Sequence, residues 1–355
     1  MPKTQPIFDI AKAKAVVSKG RRAKWWQRRG TMKRGFYYLD AAGAKITHGP
    51  SLEHLKSLVI PPAWSSVRIN PSAGGRVQAV GIDTTGRVQY IYHPSFVQKQ
   101  QRKKFAKIET FGEYLPQLRA VTNEHIVLEG FPREKVLAII IRLINSLYIR
   151  VGSEKSARHF RTYGVTTLKN NHLTIGKKGE LLFEFVGKSH VPHRKVLVDA
   201  ELAAVMSELK NIGVKRKLFH YINDDGKPRP VKPGDINAYI KSATAPNFSA
   251  KDFRTWGATL LAAVELAEIG PADDLKAAEK NIVKAVKKVA AALGNTPTVC
   301  RGSYIHPAVL KAYLAGVTVA EFRPRRSRSI SRVQAGEDLE EKALLRMFQS
   351  QHHHG

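Results

Sequence analysis

A chain of 355 residues, 43% of them hydrophobic, can fill the cores of two domains, which excludes a disordered basic tail protein. Its 59 Lys and Arg against 29 Asp and Glu leave a net charge of +30, so a polyanion is the expected partner. No apolar run approaches the roughly 20 residues of a spanning helix, the basic N-terminus lacks the apolar core of a signal peptide, and the single cysteine, Cys300, excludes an internal disulfide. The expected setting is therefore a reducing cytoplasm with no membrane partner.

Residues 1–34 are basic, with Trp25 and Trp26 set among positive charges and no sustained period, and read as a flexible arm. From Gly35 to Pro94 the segments FYYLD, VRINP, RVQAVGID and RVQYIYH alternate apolar and polar residues, with DAAG and DTTG supplying turns and SLEHLKSLV a short helix. This predicts a small antiparallel sheet with a helix beside it, over 35–97. Within RVQYIYH the alternation puts Tyr90 and Tyr92 on one face.

A second domain, 98–355, opens with the basic helical stretch QKQQRKKFAKIETFGEYL. In REKVLAIIIRLINSLYIR the apolar residues recur at the 3.6-residue period, and the end of this helix delivers Arg150 to the edge of a core. TTLKNNHLTIGKKGELLFEFVGKSHVPHRKVLVD reads as three strands, with turns at Asn170-Asn171 or Gly176 to Gly179 and at Gly187-Lys188, so Lys188 sits at a hairpin tip. Helices follow in AELAAVMSELKNI, FRTWGATLLAAVELAEI and DDLKAAEKNIVKAVKKVAAAL, the last capped by Asp273 or Asp274 and ended by Gly294, and finally in EDLEEKALLRMFQ. The class is α+β, a small β domain followed by a larger, mainly helical domain with a three-stranded sheet. His190 and His193 have no third ligand in view and do not make a zinc site, nor does the terminal HHHG by itself.

Cleaving a phosphodiester with a side chain needs a nucleophilic hydroxyl, cations for the pentacovalent transition state, and an acid for the leaving oxygen. Tyr304 is the candidate nucleophile; a phenol of pKa near 10 needs positive charge beside it to react at neutral pH. Arg150 and Arg254 are candidate clamps, since guanidinium offers paired donors and keeps its charge. Lys188 could reach the leaving oxygen as general acid, and Asn295 could donate to a non-bridging oxygen. Taken singly each residue is unremarkable, one tyrosine among 11 being ordinarily a core or surface residue.

Their order supplies more. IRVGSEK, FEFVGKSHV, KDFRTWGAT and GNTPTVCRGSY resemble the four catalytic segments of type IB DNA topoisomerases, of the small poxvirus-like kind also found in bacteria. PPAWSSVRI, GIDTTGRVQYIYHPSFV and the basic helix after them are similar to the amino-terminal domain and linker of that family, so the resemblance covers most of 35–320. It implies that Tyr304 forms a 3′-phosphotyrosyl link with DNA, that Arg150 and Arg254 stabilise the phosphorane-like state, and that Lys188 protonates the 5′ oxygen with Lys251 assisting. Asn295 stands where the viral enzymes carry histidine, which leaves it hydrogen bonding to the scissile phosphate. Tyr90 and Tyr92 match DNA-contacting aromatics. The implied protein is a cytoplasmic, nucleoid-associated monomer that closes on double-stranded DNA as a clamp.

The chain has no G-x-x-x-x-G-K-[ST] loop and no acidic cluster for Mg²⁺, so no cofactor is expected. Two rivals remain. A tyrosine recombinase shares the chemistry, but commonly has His where Lys251 stands and places its nucleophile closer to the second arginine than the 50 positions from Arg254 to Tyr304. A non-catalytic nucleic-acid-binding protein explains the charge and leaves the four ordered segments as accident.

Overall fold

The structure, a computed structural model, describes residues 8–212, 216–244, 247–323 and 338–353. The chain divides between Lys104 and Phe105 into two compact units.

In the first unit, helix α1 (Ile10–Val17) starts at Asp9, whose carboxylate accepts from the backbone N–H groups of Ala11 and Lys12. Strands β1 (Trp26–Thr31) and β2 (Gly35–Leu39) form a hairpin, helix α2 (Gly49–Ser57) follows, and β3 (Ser65–Ile69), β4 (Val77–Ile82) and β5 (Val88–Tyr92) complete an antiparallel sheet of order β2-β1-β3-β4-β5. Leu55 of α2 packs with Val67, Ile69 and Ala79, while Ala13 and Val17 of α1 pack with Val80 and Ile82. Because successive strand residues point to opposite faces, β4 is sealed by a helix on each side and is buried almost throughout.

This corrects the reading of 1–34 as a flexible arm. Over 8–34 the chain supplies a helix and a strand of the sheet; residues 1–7 lie outside the described residues. The apolar contribution of α1 is two small side chains four residues apart, too little to register as a period. In β1 the inward position is held by Arg28, 8% exposed, which donates to the carbonyls of Ile60 (3.0 Å), Pro61 (3.1 Å) and Trp64 (2.6 Å). A strand whose inward residue is an arginine gives no hydrophobic alternation to find. The basic run near the C-terminus, RPRRSRS, lies from Pro324 onward outside the described residues.

Helix α3 (Pro94–Ile126) runs through the division, so the boundary expected at 97–98 falls inside a continuous helix. The second unit continues with α4 (Arg133–Leu147), α5 (Glu154–Phe160), a three-stranded antiparallel sheet of β6 (Leu173–Ile175), β7 (Glu180–Val186) and β8 (Pro192–Val198), and α6 (Ala200–Ile212). A small hairpin of β9 (His220–Ile222) and β10 (Pro228–Pro230) leads to α7 (Pro233–Thr244), α8 (Ala250–Ile269), α9 (Leu275–Leu293), α10 (Pro297–Ser303), α11 (Pro307–Leu314) and α12 (Leu339–His353). The fold is α+β. Helix α4, whose Val136 to Ile141 are all buried, is the centre of one large core in this unit.

Candidate active site at the end of α9

Each candidate side chain is delivered by a helix end or a hairpin. Helix α4 stops because Tyr148 takes a left-handed conformation (φ 54°, ψ 30°), and the chain turns out to present Arg150. The Arg150 carbonyl accepts from Val165 N at 2.8 Å, an approach that requires glycine at 164, where a Cβ would collide with that same oxygen. Helix α8 is fixed at its start by the Asp252 carboxylate, which accepts from Ser249 N (2.8 Å) and pairs with Lys107 (2.6 Å). One turn on, Arg254 is 4% exposed and donates through Nη1 to the Tyr148 carbonyl and through Nη2 to the Leu293 carbonyl at 2.9 Å.

Helix α9 is capped by Asp274 and ended by Gly294 at φ 61°, as its sequence requires. Asn295 follows, and its Oδ1 accepts from Arg150 Nη2, which also reaches the Gly294 carbonyl at 3.3 Å. Tyr304 closes α10. The Thr259 hydroxyl of α8 shares its one donor between the Thr255 carbonyl at 2.8 Å and the Tyr304 carbonyl at 3.2 Å and accepts from His306 N at 3.1 Å, which ties the backbone around Tyr304 to the helix that carries Arg254. The Arg254 guanidinium carbon lies 5.4 Å from the centroid of the Tyr304 ring. Burial first, then Arg150, pushes the Arg254 guanidinium down to about 10, so it stays cationic at neutral pH; Arg150 is lowered chiefly by burial, and a Tyr304 phenolate favours the charged form of both. Arg254 Nε is buried with no acceptor among the described residues, and Asn295 Nδ2 is buried facing the Cys300 sulfur.

The structure thus brings Arg150, Arg254, Asn295 and Tyr304 together. Lys188 lies at the tip between β7 and β8, as expected; it is exposed and lines one narrow cleft with Arg150 and Arg254. Lys251 is exposed on the first turn of α8, and among the described residues no hydrogen bond or ion pair joins its side chain to the cluster.

Sequence reasoning passed over Thr259 and Lys195 and weighed His193 only as a zinc ligand; His193 and Lys195, both on β8, line the same cleft. His193 stacks on Phe185 with centroids 5.0 Å apart, and a Cβ on either Gly187 or Gly294 would run into its ring, so the imidazole fills the gap between the Lys188 tip and the end of α9. Burial, then Lys195, Arg150 and Arg254, pushes it down to about 4, and it is neutral at pH 7. The available signal was the strand period, which puts His193, Lys195 and Leu197 on the inward face of β8. Cys300 is fully buried beside this site, and burial pushes its thiol up.

In the first unit, Tyr90 and Tyr92 are exposed and stacked, centroids 5.9 Å apart. They line a cavity of about 570 Å³ together with Lys19, Arg21, Arg22 and Arg76. Among the described residues no group of three or more His, Cys, Asp or Glu side chains could hold a metal ion, and no helix is long and apolar enough to cross a membrane.

An α+β chain whose second unit gathers buried guanidinium groups around a tyrosine has the makings of a protein that handles phosphate esters. The model of the eukaryotic DNA topoisomerase I catalytic core matches residues 93–322, and that of the bacterial DNA topoisomerase IB N-terminal domain matches 35–83. DNA topoisomerase 1B of Acanthamoeba polyphaga mimivirus is 29% identical over 286 residues, 78% of this chain and 84% of that protein. DNA topoisomerase 1B of vaccinia virus (strain Copenhagen) is 24% identical over 269 residues, 74% of this chain and 82% of its own. The chain belongs to the type IB DNA topoisomerase family.

Proposed function

We propose that the protein relaxes supercoiled DNA by cutting one strand through a 3′-phosphotyrosyl intermediate and resealing it, with neither ATP nor a metal ion required. The Tyr304 hydroxyl oxygen gives its proton to solvent and bonds to the scissile phosphorus, the bond from phosphorus to the 5′ oxygen breaks, and that oxygen takes a proton from Lys188, with Lys251 assisting; Lys188 regains a proton from solvent. Arg150 and Arg254 neutralise the non-bridging oxygens as charge builds in the transition state, and Asn295 donates a further hydrogen bond. One phosphodiester is exchanged for another, so the 5′ hydroxyl can reverse the step without an energy source. Tyr90, Tyr92 and the basic residues around them hold the duplex, and the protein acts as a monomer.

The observation that carries this reading is the convergence of Arg150, Arg254 and Asn295 at the Tyr304 end of α10, with the buried Nε–H of Arg254 left for a ligand. An unpaired buried donor costs about 1–3 kcal/mol, which a phosphate oxygen would recover. The test is incubation with negatively and positively supercoiled plasmid in EDTA without ATP. The parent relaxes both signs and Tyr304→Phe relaxes neither; relaxation by Tyr304→Phe at the parental rate would remove Tyr304 from the mechanism, and inactivity of both proteins would favour a DNA-binding role.

A further inference from the structure

The last turn of α9 gives its carbonyls to three cations that arrive from three separate elements. Ala292 accepts from Lys195 Nζ on β8, Leu293 from Arg254 Nη2 on α8 at 2.9 Å, and Gly294 from Arg150 Nη2 at the exit of α4 at 3.3 Å. A helix C-terminus carries unpaired carbonyls and about half a negative charge, so it holds cations well. Among the described residues no carboxylate pairs with any of the three, and the helix end offsets only a fraction of their charge. In the protein without DNA this cluster lacks negative charge, and a phosphodiester supplies it.

We propose that Lys195 is a third cation of the phosphate site, acting on the non-bridging oxygens beside Arg150 and Arg254. This rests on the cleavage reading above. An ammonium has three donors; one is used on Ala292, which leaves two for the substrate. The side chain lies on the inward face of β8, opposite Phe183 in the register of β7, and lines the cleft that Arg150, Arg254 and Lys188 also line. Burial, then Arg254 and Arg150, pushes Lys195 below its ordinary value.

Three variants separate capping from charge. Lys195→Gln keeps a donor for Ala292 and loses the charge, Lys195→Met loses both, and Lys195→Arg keeps the charge. Single-turnover formation of the covalent adduct is measured on a duplex oligonucleotide, and on the same duplex with sulfur bridging at the 5′ position, whose thiolate leaves without a proton. Lys195→Gln and Lys195→Met are expected to cleave about 10²- to 10³-fold more slowly than the parent on both substrates, with Lys195→Arg largely restored. Lys188→Ala is expected to recover on the sulfur substrate alone. Cleavage by Lys195→Gln within threefold of the parent would make Lys195 a cap and nothing more, and its full recovery on sulfur would make it a proton donor instead. Equilibrium DNA binding across salt keeps the test independent of chemistry: loss of one phosphate contact lowers the slope of log K against log salt by about 0.9, whether or not the parent forms an adduct. An unchanged slope in Lys195→Gln overturns the proposal, whereas a parent that binds but forms no adduct overturns the cleavage reading.

Discussion

Replacing Glu341 by Gln should loosen the catalytic unit far from its chemistry. Glu341, on the first turn of α12, is 7% exposed and accepts a two-pronged contact from Arg119 of α3, at 2.7 and 2.9 Å. Its Oε1 also accepts from the indole N–H of Trp256 at 3.0 Å, and Trp256 is two residues beyond Arg254 on α8. One carboxylate therefore joins three helices. Removing the charge from one side of a buried ion pair costs about 3–5 kcal/mol, and because Arg119 is half-buried and also feels Asp338, the low end of that range applies here. The amide keeps one acceptor oxygen, so about 3 kcal/mol is the expected loss. At about 2–4 °C per kcal/mol for a unit of this size, the melting temperature should fall by about 6–12 °C. Thermal unfolding followed by circular dichroism measures it, with the cycle completed by Arg119→Met and by Glu341→Leu with Arg119→Met. The double variant should be less destabilised than Arg119→Met alone, since no charge is stranded. A fall of under 2 °C in Glu341→Gln would refute the claim that this carboxylate fastens α12 to the unit.

Stability should also depend on pH through His193. Its folded value is depressed to about 4, so between about 6.5 and 4 the unfolded chain takes up the proton and the folded protein does not. Stability is then fully present above about 6.5 and is lost as pH falls toward 4. The full difference corresponds to about 3 kcal/mol, and solvent screening of a partly exposed ring reduces it to about 1–2 kcal/mol. Chemical denaturation at a series of pH values should show this slope, and His193→Gln should flatten it; equal slopes would mean that His193 is not held neutral by the fold. Gly257→Ala should cost about 1–3 kcal/mol and slow cleavage, because a Cβ there runs into the Tyr148 ring, and the Tyr148 carbonyl anchors Arg254. Denaturant titration and single-turnover cleavage together test this, and parental values in both would show that the contact is soft.

Much of the second unit was legible because its signals are local. The apolar period marks α4, Asp274 and Gly294 bracket α9, and the strands of FEFVGKSHV place Lys188 at a tip. The first unit was harder, because α1 and β1 bury little apolar surface and rely on Arg28 and backbone carbonyls, which leave no pattern in composition. The site was legible as residue types and not as an arrangement. Nothing in the local sequence says that Ala292, Leu293 and Gly294 will each hold a cation from a distant segment, because those bonds join positions about 40 to 144 apart, Leu293 to Arg254 being 39 and Gly294 to Arg150 being 144. Lys195 and His193 are likewise ordinary strand residues until the fold turns them inward.

The most direct measurement is to stop the reaction with denaturant and ask which residue carries DNA. The protein is mixed with a duplex labelled on the 3′-phosphate side of the nick, denatured, digested with protease and sequenced by mass spectrometry. The expected product is a single peptide containing Tyr304 joined to a 3′-phosphate, absent from Tyr304→Phe. DNA attached to any other residue, or an adduct that persists in Tyr304→Phe, would contradict the account.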